Sequence, residues 1–441
     1  MPKHNITGRN AVEIAESVES EILAGRLPPG AGLPTVRALA RSLRVSPSTV
    51  SAAYKALRSR GLLVAQRRLG TRVSPRPPVY GRSAAARLPA GVLDLATGNP
   101  DPALLPPLER ALRTIDPSPV LYGDALIDRG LARRALERFR ADGVPATDLC
   151  VVAGALDGLE RVLAAHLRPG DRVAIEDPAF VGVRDLLSAL GLEAVGAAID
   201  DAGMLPRALS RALAAGARAL VVTPRAQNPS GACLDARRVR ELTPILAKHP
   251  YLLVCEDDHA GMVSGAPAAT LVASRKLRHW AVVRSFSKSL GPDLRVAVLA
   301  ADPVTIARVE GRQRLGMRWV SHLLQRLTLA LWKDRAVQAL LRDAARTYAR
   351  RRSALLQALA ARGIRGHGRS GLNVWVPVPE EALVVGALAE QGFGVCAGER
   401  FRLDAPPAIR ISIGQLPEER AEELAIALAG SIGRPRSSTS G

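Results

Sequence analysis

Apolar residues recur at helical spacing in three short segments near the start of the chain. The first segment, residues 9–24, puts four of them on one helical face: Val12, Ala15, Val18 and Ile22. Prolines between residues 28 and 34 end this helix, and Thr35 then has the N-cap position of a second one. Ser46 and Pro47 open a third helix, which ends at Gly61. Residues 62–73 are typical of two short strands around a basic tip, so the pattern predicts three helices followed by a β-hairpin.

From residue 92 to about residue 430, apolar runs of strand length alternate with segments of helical periodicity. This alternation predicts a large α/β domain with a mainly parallel sheet. Ligands of such sheets bind at the carboxyl ends of the strands. Several polar residues fall at those ends: Glu176, Asp177, Gln227, Asn228, Asp257 and Lys288.

The chain of 441 residues is long enough for two or three domains. We expect four parts: a small domain at residues 1–73, a tether at 74–91, the α/β domain at 92–430 and a disordered tail at 431–441. The tether is rich in proline, glycine and arginine and would span roughly 25 to 55 Å. The apolar runs are too short for a membrane span, and residues 1–21 carry four glutamates and lack a secretory signal pattern. We therefore expect a cytoplasmic protein that does not bind membranes.

Basic residues are concentrated near the start of the chain. The whole chain has 61 basic and 41 acidic residues, but residues 22–93 hold thirteen arginines or lysines and no aspartate or glutamate. Such a block of charge indicates a polyanionic partner. An arginine-rich proteome is the alternative, because the chain has only six lysines, but that would not explain the missing carboxylates. The four cysteines are far apart and the histidines are not clustered, so we expect neither a disulfide framework nor a metal site.

Three helices followed by a hairpin form a winged helix-turn-helix, whose third helix enters the major groove of DNA. The stretch LPTVRALARSLRVSPSTVSAAYKALRSRGLL resembles the GntR family of bacterial regulators. The resemblance implies a double-stranded DNA operator contacted by Arg37, Ser46, Ser48, Thr49 and Ser51, with Arg67 and Arg68 on the wing. Pro47 stands where the family often has arginine, so we expect weaker base readout there. A solvated helix face and phosphate contact both remain open for Arg41, Arg44, Arg58 and Arg60.

Lys288 follows an apolar strand within the segment SFSKSLG. Burial lowers the pKa of an amine and makes it a nucleophile suited to Schiff-base chemistry. Ser285, Ser287 and Arg295 supply hydroxyls and a fixed cation that could hold a phosphate, and Asp257 could pair with a protonated ring nitrogen. A surface lysine at a helix start is the alternative for Lys288, but it would not explain the complete set.

This ordered set resembles the class I and II aminotransferases, which are pyridoxal-phosphate enzymes of fold type I. The resemblance implies pyridoxal 5'-phosphate as the cofactor, with Lys288 as the lysine that forms the aldimine and Asp257 as the partner of the ring nitrogen. It also implies further cofactor contacts. The phosphate would be held by the backbone of Ala155 and Leu156, by Ser285, Ser287 and Arg295, and by Tyr122 from across a dimer interface. Phe180 would stack on the ring, Asn228 would contact the ring hydroxyl oxygen, and His259 would lie near that oxygen in place of a tyrosine. Arg410 matches the arginine that binds a substrate carboxylate.

A GntR-like module joined to an aminotransferase-like domain resembles the MocR subfamily, which includes the GabR-type regulators. This implies a homodimeric, pyridoxal-phosphate-dependent transcription regulator that senses the cofactor, an amino acid or an amine through Lys288. The alternative is an aminotransferase with an accessory DNA-binding domain. His259 and Phe180, at positions where relatives commonly have tyrosine, predict weak or secondary transamination. Residues 97–106, TGNPDPALLP, resemble the PtsJ-type members and favour a pyridoxal-related target.

Overall fold

The computed structural model of the chain describes residues 6–66, 70–74, 91–274 and 276–432. The chain divides into two units, one of residues 1–87 with segments 167–172 and 182–194, the other of residues 88–166, 173–181 and 195–441. Within the described ranges, no helix has the length and apolar character needed to cross a membrane. Most of the predicted tether, most of the tail and the wing residues Arg67 and Arg68 lie outside the described residues.

The first unit contains the predicted winged helix-turn-helix. Its elements are α1 (Ala11–Leu23), α2 (Val36–Leu43), α3 (Pro47–Ser59), β1 (Leu63–Gln66) and β2 (Gly70–Val73), with β1 antiparallel to β2. Both predicted N-caps are present: the Thr35 hydroxyl accepts a hydrogen bond from the Ala38 amide at 3.2 Å, and the Ser46 hydroxyl accepts one from the Thr49 amide at 3.1 Å. These caps satisfy amides that a helix cannot satisfy internally, so α2 and α3 begin at those residues.

The core of this unit comes from one face of each helix. Fully buried side chains include Ile14, Val18 and Ile22 of α1 and Val50, Tyr54 and Leu57 of α3. The Tyr54 hydroxyl donates to the Pro34 carbonyl at 2.9 Å, which joins α3 to the chain before α2. Because these residues recur at helical spacing, the opposite face of α3 stays polar and exposed.

The rest of the chain alternates strands and helices as predicted. The strands are β3 (Leu93–Asp94), β4 (Leu149–Val152), β5 (Arg172–Asp177), β6 (Glu193–Asp200), β7 (Gly203–Met204), β8 (Ala217–Val222), β9 (Leu253–Asp258), β10 (His279–Ser285), β11 (Ala297–Ala301), β12 (Asn373–Pro377), β13 (Phe393–Gly394), β14 (Cys396–Ala397) and β15 (Ala408–Ser412). The helices are α4 (Glu109–Leu112), α5 (Arg129–Ala141), α6 (Ala155–His166), α7 (Val181–Ala189), α8 (Pro206–Ala214), α9 (Ala236–Leu246), α10 (Pro303–Leu315), α11 (His322–Lys333), α12 (Arg335–Ala360), α13 (Glu381–Glu390) and α14 (Ala421–Ile432).

The largest sheet has eight strands in the order β4-β11-β10-β9-β8-β5-β6-β7. Strands β8, β9 and β10 are parallel neighbours, whereas β11 runs antiparallel to both β10 and β4. The strands at its centre are almost entirely buried, as expected for a sheet covered on both faces.

A smaller sheet lies nearer the end of the chain, with β15 paired antiparallel to β12 and β14. In addition, β3 pairs in parallel with β13, which ties the start of the second unit to residues about 300 positions later. The sequence pattern predicted neither of these pairings. They bring residues 91–99 and Arg410 into one region.

Buried charges stabilise the end of β9. Asp258 accepts hydrogen bonds from Arg225 at 2.7 and 2.8 Å and from Arg284 at 2.8 Å, and Arg284 also pairs with Asp142 at 3.0 Å. Although burial opposes ionisation, the two guanidinium groups hold the pKa of Asp258 well below its usual range. Removing this carboxylate would leave two cations buried without it.

We expect Asp258→Asn to reduce the free energy of unfolding by about 3 to 5 kcal/mol, because the buried guanidinium groups lose their charged partner. Urea unfolding followed by tryptophan fluorescence measures this, since all four tryptophans lie between residues 280 and 375. The matched control is Asp343→Asn, which removes an exposed pair with Arg346 and should cost less than about 1 kcal/mol. Equal losses in the two variants would contradict the assigned role of Asp258.

Candidate cofactor site and DNA-binding surface

Strand register brings the candidate residues to one edge of the large sheet. Ser285 of β10 lies opposite Ala297 of β11, and Ala297 lies opposite Val152 of β4. The segment after β10 with Lys288, the segment before β11 with Arg295 and the start of α6 therefore meet at this edge. The carboxyl ends of the parallel strands β8 and β9 are at the same edge.

The turn between β4 and α6 lies directly under Arg295. Gly154 has a φ of +110°, and a Cβ atom at this position would lie 2.4 Å from Nη2 of Arg295. The same Nη2 donates a hydrogen bond to the carbonyl of Ala153 at 2.8 Å. Only glycine fits both the backbone conformation and the close guanidinium group.

Hydroxyl and amide donors surround the same turn. Ser285 donates to the hydroxyl of Ser287 at 3.0 Å, which places both hydroxyls after β10. Helix α6 begins at Ala155, so the amides of Ala155 and Leu156 are in its first turn, where a helix leaves N–H groups free for an anion. The combination of a helix start, two hydroxyls and a fixed cation suits a phosphate group.

Lys288 is half-buried and follows β10 at the same edge of the sheet. Its Nζ donates to the carbonyl of Gly98 at 2.7 Å. Burial, together with the positive charge of Arg410, lowers the pKa of Lys288 to about 8. Roughly a tenth of the amine is therefore neutral and nucleophilic at pH 7, far more than for an ordinary lysine.

Asp257 is 4% exposed, and its Oδ1 has no hydrogen-bond partner among the described residues. Burial and the neighbouring charge of Asp258 raise the pKa of Asp257 to about 7. An unpartnered carboxylate is costly inside a protein, and a protonated ring nitrogen is a group that would satisfy it. This orphaned oxygen is the strongest single sign that the site receives a ligand.

His259 and Phe180 are partly buried. Burial and the nearby Lys288 lower the pKa of His259 to about 4, so this imidazole is neutral near neutral pH. A neutral ring still has one N–H donor for an oxygen atom.

Arg410 approaches the site from the smaller sheet. Its Nη1 donates to Oδ1 of Asn228 at 3.2 Å, its Nη2 donates to the carbonyl of Ala96, and its guanidinium group lies 4.8 Å from the ring of Phe401. Its Nε is buried and lacks a hydrogen-bond partner among the described residues. Asn228 and Arg410, which the sequence assigned separately, therefore contact each other.

Residues 96–99 cross the site between Lys288 and Arg410. The carbonyl of Ala96 accepts from Arg410 and that of Gly98 accepts from Lys288. Gly98 has a φ of +69°, and its added Cβ would lie 3.4 Å from Nη1 of Arg410. The sequence marked this segment only as a family feature, because backbone carbonyls give no signal in a residue pattern.

Glu176 and Gln227 form a buried hydrogen-bond network to which the sequence assigned no role. Oε2 of Glu176 accepts from the Thr223 amide at 3.1 Å and from Nε2 of Gln227 at 3.3 Å. Nε2 of Gln227 also donates to the carbonyl of Pro178 at 2.8 Å. Burial, and to a smaller extent the charge of Asp257, raise the pKa of Glu176 to about 8. This network links the segments that carry Phe180 and Asn228.

Tyr122 is 80% exposed within one chain. Its ring makes an edge contact with Trp319 at 5.6 Å, and Arg318 lies 5.0 Å from its centroid. The role predicted for Tyr122 is a contact with the cofactor of a partner subunit, and it stays a prediction.

The predicted DNA-contacting residues lie at the start of α2 and of α3. The side chains of Arg37, Ser46, Ser48 and Ser51 are exposed and Thr49 is half-buried. The Ser46 hydroxyl lies 2.7 Å from that of Ser48 and 2.8 Å from that of Thr49, so three hydroxyls form one cluster at the start of the helix.

For four further arginines, the sequence did not decide between a solvated helix face and contact with DNA phosphate. Arg60 is bonded to Glu19 at 2.6 Å, which favours a structural role for this arginine. The other three, Arg41, Arg44 and Arg58, are exposed.

The residues at the strand ends fit pyridoxal phosphate in charge and position. The orphaned Asp257 carboxylate suits the ring nitrogen, the turn around Gly154 suits the phosphate, and the amine of Lys288 suits an aldehyde. The fold and the site therefore define a pyridoxal-phosphate-binding domain, joined to a winged helix-turn-helix.

Comparison with known families assigns both parts. Residues 90–428 match the family of class I and II aminotransferases, and residues 10–73 match the gntR family of bacterial regulatory proteins. The chain belongs to the class I and II aminotransferase family and carries a gntR-type DNA-binding module at its start. The predicted fold class and the predicted cofactor are thereby confirmed.

Two of the relatives are transcription regulators. PtsJ of Salmonella typhimurium, a transcriptional repressor of the vitamin B6 salvage pathway, is 40% identical over 433 residues, which cover 97% of this chain and 100% of that protein. PdxR of Corynebacterium glutamicum, a pyridoxine biosynthesis transcriptional regulator, is 30% identical over 317 residues, which cover 67% of each protein.

Similar solved structures are aminotransferases. The kynurenine aminotransferase of Pyrococcus horikoshii superposes with a TM-score of 0.70 at 21% identity, covering 78% of this chain and 91% of that chain. An archaeal alanine:glyoxylate aminotransferase gives 0.71 at 22% identity, covering 77% and 90%. At this identity the likeness shows a common fold.

We expect the amine of Lys288 in the cofactor-free protein to be acetylated by acetic anhydride with a pH midpoint near 8, because burial and Arg410 lower its pKa. Peptide mass spectrometry of the full chain, labelled across a range of pH, measures the midpoint. Arg410→Gln should raise it, since one source of positive charge is removed. The exposed arginine variant Arg369→Gln is the control and should not change it. A midpoint at the ordinary lysine value of 10.5 would show that Lys288 is not in this environment.

Proposed function

We propose that the chain is a transcription regulator that binds its operator through α3 and senses pyridoxal phosphate itself through Lys288. The aminotransferase-like domain acts as the sensor in this proposal and the winged helix-turn-helix as the DNA reader. The cofactor supplies an aldehyde that reacts with an amine and an electron-withdrawing ring. The protein residues bind and orient it.

The choice of the cofactor as the signal rests mainly on residues 96–99. Both terminal nitrogens of Arg410 contact acceptors within the chain, the Ala96 carbonyl and Asn228. End-on bidentate binding of a carboxylate uses those two nitrogens, so an amino acid bound in this way would have to displace the Ala96 carbonyl and Asn228. The orphaned Asp257 and the phosphate turn need no such displacement. Pyridoxal phosphate is thus the ligand that this conformation is prepared to receive.

Binding of the cofactor would change the contacts of at least two residues. Lys288 would give up its hydrogen bond to the Gly98 carbonyl, and Asp257 would gain a partner. A ligand shifts a conformational equilibrium only when it interacts differently with the two states, and the release of residues 96–99 from Lys288 supplies such a difference.

The relatives support the same effector. Both regulators named above have names that refer to vitamin B6 or pyridoxine. We therefore propose genes of vitamin B6 metabolism as the targets of this chain.

An amine or amino acid is the second candidate effector. Arg410 is retained, and its unpartnered Nε shows that its hydrogen-bonding capacity is not fully used. In that case cofactor and amino compound would act together, and transamination would be a side reaction.

We further propose a homodimer. Tyr122 and Leu121 are 80% and 67% exposed, and apolar surface of this kind is costly unless another surface covers it. A two-fold dimer would present two copies of α3 to two operator half-sites.

We expect simultaneous replacement of Arg37, Arg41 and Arg44 by alanine to weaken binding to all DNA sequences. Each lost phosphate contact should reduce the slope of log K against log salt by about one unit. Fluorescence anisotropy with an operator fragment from upstream of the chain's own gene measures the affinity, the slope and the expected two chains per duplex. Arg60→Ala is the control, because Arg60 is bonded to Glu19. An unchanged salt slope would contradict phosphate contact by these arginines.

We expect pyridoxal phosphate alone to change the operator affinity of the cofactor-free protein, with no amino acid added. Lys288→Ala should abolish the covalent attachment that borohydride fixes and should reduce the change in affinity. Pyridoxal phosphate added to Arg410→Gln should still act, because this arginine serves a carboxylate ligand. An effect that requires an amino acid would favour the second candidate, and fast turnover of an amino donor without specific DNA binding would overturn the regulator.

A further inference from the structure

A cavity of about 530 Å³ lies next to the segments that carry Phe180 and Asn228. Asp177, Pro178 and Ser230 line it, and they belong to the two segments that carry Phe180 and Asn228 on the cofactor side. Residues 404–408, which lead into β15 and Arg410, also line the cavity. The volume is within the range of roughly 300 to 1,000 Å³ that small-molecule sites have.

Much of the wall is apolar. Trp375, Ile199 and four prolines contribute to it, namely Pro178, Pro377, Pro406 and Pro407. Trp375 is 7% exposed and its ring packs edge-on against Phe401 at 6.2 Å. A rigid ring and prolines provide a surface that changes little when an apolar group binds.

The charge of the lining is opposite to that of the chain. The residues around the cavity include four aspartates, one arginine and one histidine, whereas the whole chain carries a net charge of +20. The aspartates are Asp177, Asp200, Asp201 and Asp404, and the basic residues are Arg211 and His367. An acidic cavity in a strongly basic protein favours a cation over the phosphate ester that the cofactor site accepts.

Three of these carboxylates already contact a partner, and Asp201 does so through His367 of the same lining. Asp177 accepts hydrogen bonds from the amides of Leu403, Asp404 and Ala405 at 2.8 to 2.9 Å, which fixes the wall of the cavity. Asp200 pairs with Arg238 at 2.7 Å. The charge available to a ligand therefore comes mainly from Asp404 and from Asp201, whose partner His367 is charged only when it is protonated.

Asp201 and Asp404 are the accessible pair. Asp201 is 3.0 Å from Nδ1 of His367, and its side chain is 47% exposed. Asp404 is exposed, and its backbone is held by Asp177. Each has carboxylate oxygens that can accept further hydrogen bonds.

We infer that this cavity binds a small organic cation, in which a protonated amine is attached to an apolar ring or chain. The apolar part packs against Trp375 and the prolines, and the ammonium group pairs with Asp201 and Asp404. This cation differs from the cofactor, and its binding in the cavity does not depend on DNA binding.

Isothermal titration of the full chain with its cofactor bound tests this. N,N-dimethylbenzylamine is the probe, because a tertiary amine cannot form a carbon–nitrogen double bond with the cofactor aldehyde. Benzyl alcohol and benzoate are matched neutral and anionic probes. We expect the cation to bind about tenfold or more tightly than either, since a charge-assisted hydrogen bond adds that much affinity. Equal binding of the three probes, or no binding of the cation at millimolar concentration, would overturn the inference.

Three variants locate the binding. Asp201→Asn and Asp404→Asn should each weaken binding of the cation about tenfold, while Asp185→Asn, an exposed aspartate outside the cavity, should leave it unchanged. Ala198→Leu places bulk in the cavity without a change of charge and should remove binding, while cofactor absorbance shows that the protein is folded. Unchanged affinity in either aspartate variant or in Ala198→Leu would show that the cation binds elsewhere.

Discussion

The strand alternation at the end of β9 is the constraint on which the cofactor site depends. Successive residues of a strand point to opposite faces of the sheet, so Asp257 and Asp258 cannot share an environment. On one face, Arg225 and Arg284 hold Asp258 as a buried anion. On the other, Asp257 has an oxygen with no partner in the described chain, and its pKa is raised by burial and by the anion next to it. The protein thus stabilises one carboxylate with its own arginines and leaves the next for a ligand.

The chain arranges the rest of the site through contacts between segments far apart in sequence. Lys288 and Arg410 lie on different sheets, and residues 96–99 join them by accepting a hydrogen bond from each. Lys288 and Arg410 also have the central roles in the proposed sensing of a ligand. A ligand that binds either side chain would therefore change the contact of that side chain with residues 96–99. A ligand that interacts differently with two arrangements of this segment would shift the balance between them, which is what sensing requires.

The DNA-binding module follows a simpler logic. Val50, Tyr54 and Leu57 fix one face of α3 in a core, and this leaves the hydroxyl cluster at its start exposed. Its affinity for a polyanion arises from arginines spread over a segment without carboxylates, and Arg60 shows that not all of them are available for DNA. Charge composition therefore indicated the partner, while individual contacts decide which residues can reach it.

The sequence by itself determined the elements and the chemistry of the site. Helical periodicity and caps predicted α1 to α3, and the alternation of strands with helices predicted the α/β sheet. Lys288, Asp257 and Asn228 lie at or after strand ends, as the pattern predicted. The sequence did not predict the environment of these residues. Only the structure shows the neutral His259, the contact of Arg410 with Asn228, the hydrogen bond from Lys288 to the Gly98 carbonyl and the acidic cavity next to the segments of Phe180 and Asn228. Local patterns report propensity and periodicity, whereas pKa shifts, carbonyl acceptors and cavities arise from contacts between residues up to about 300 positions apart, which only the folded chain brings together.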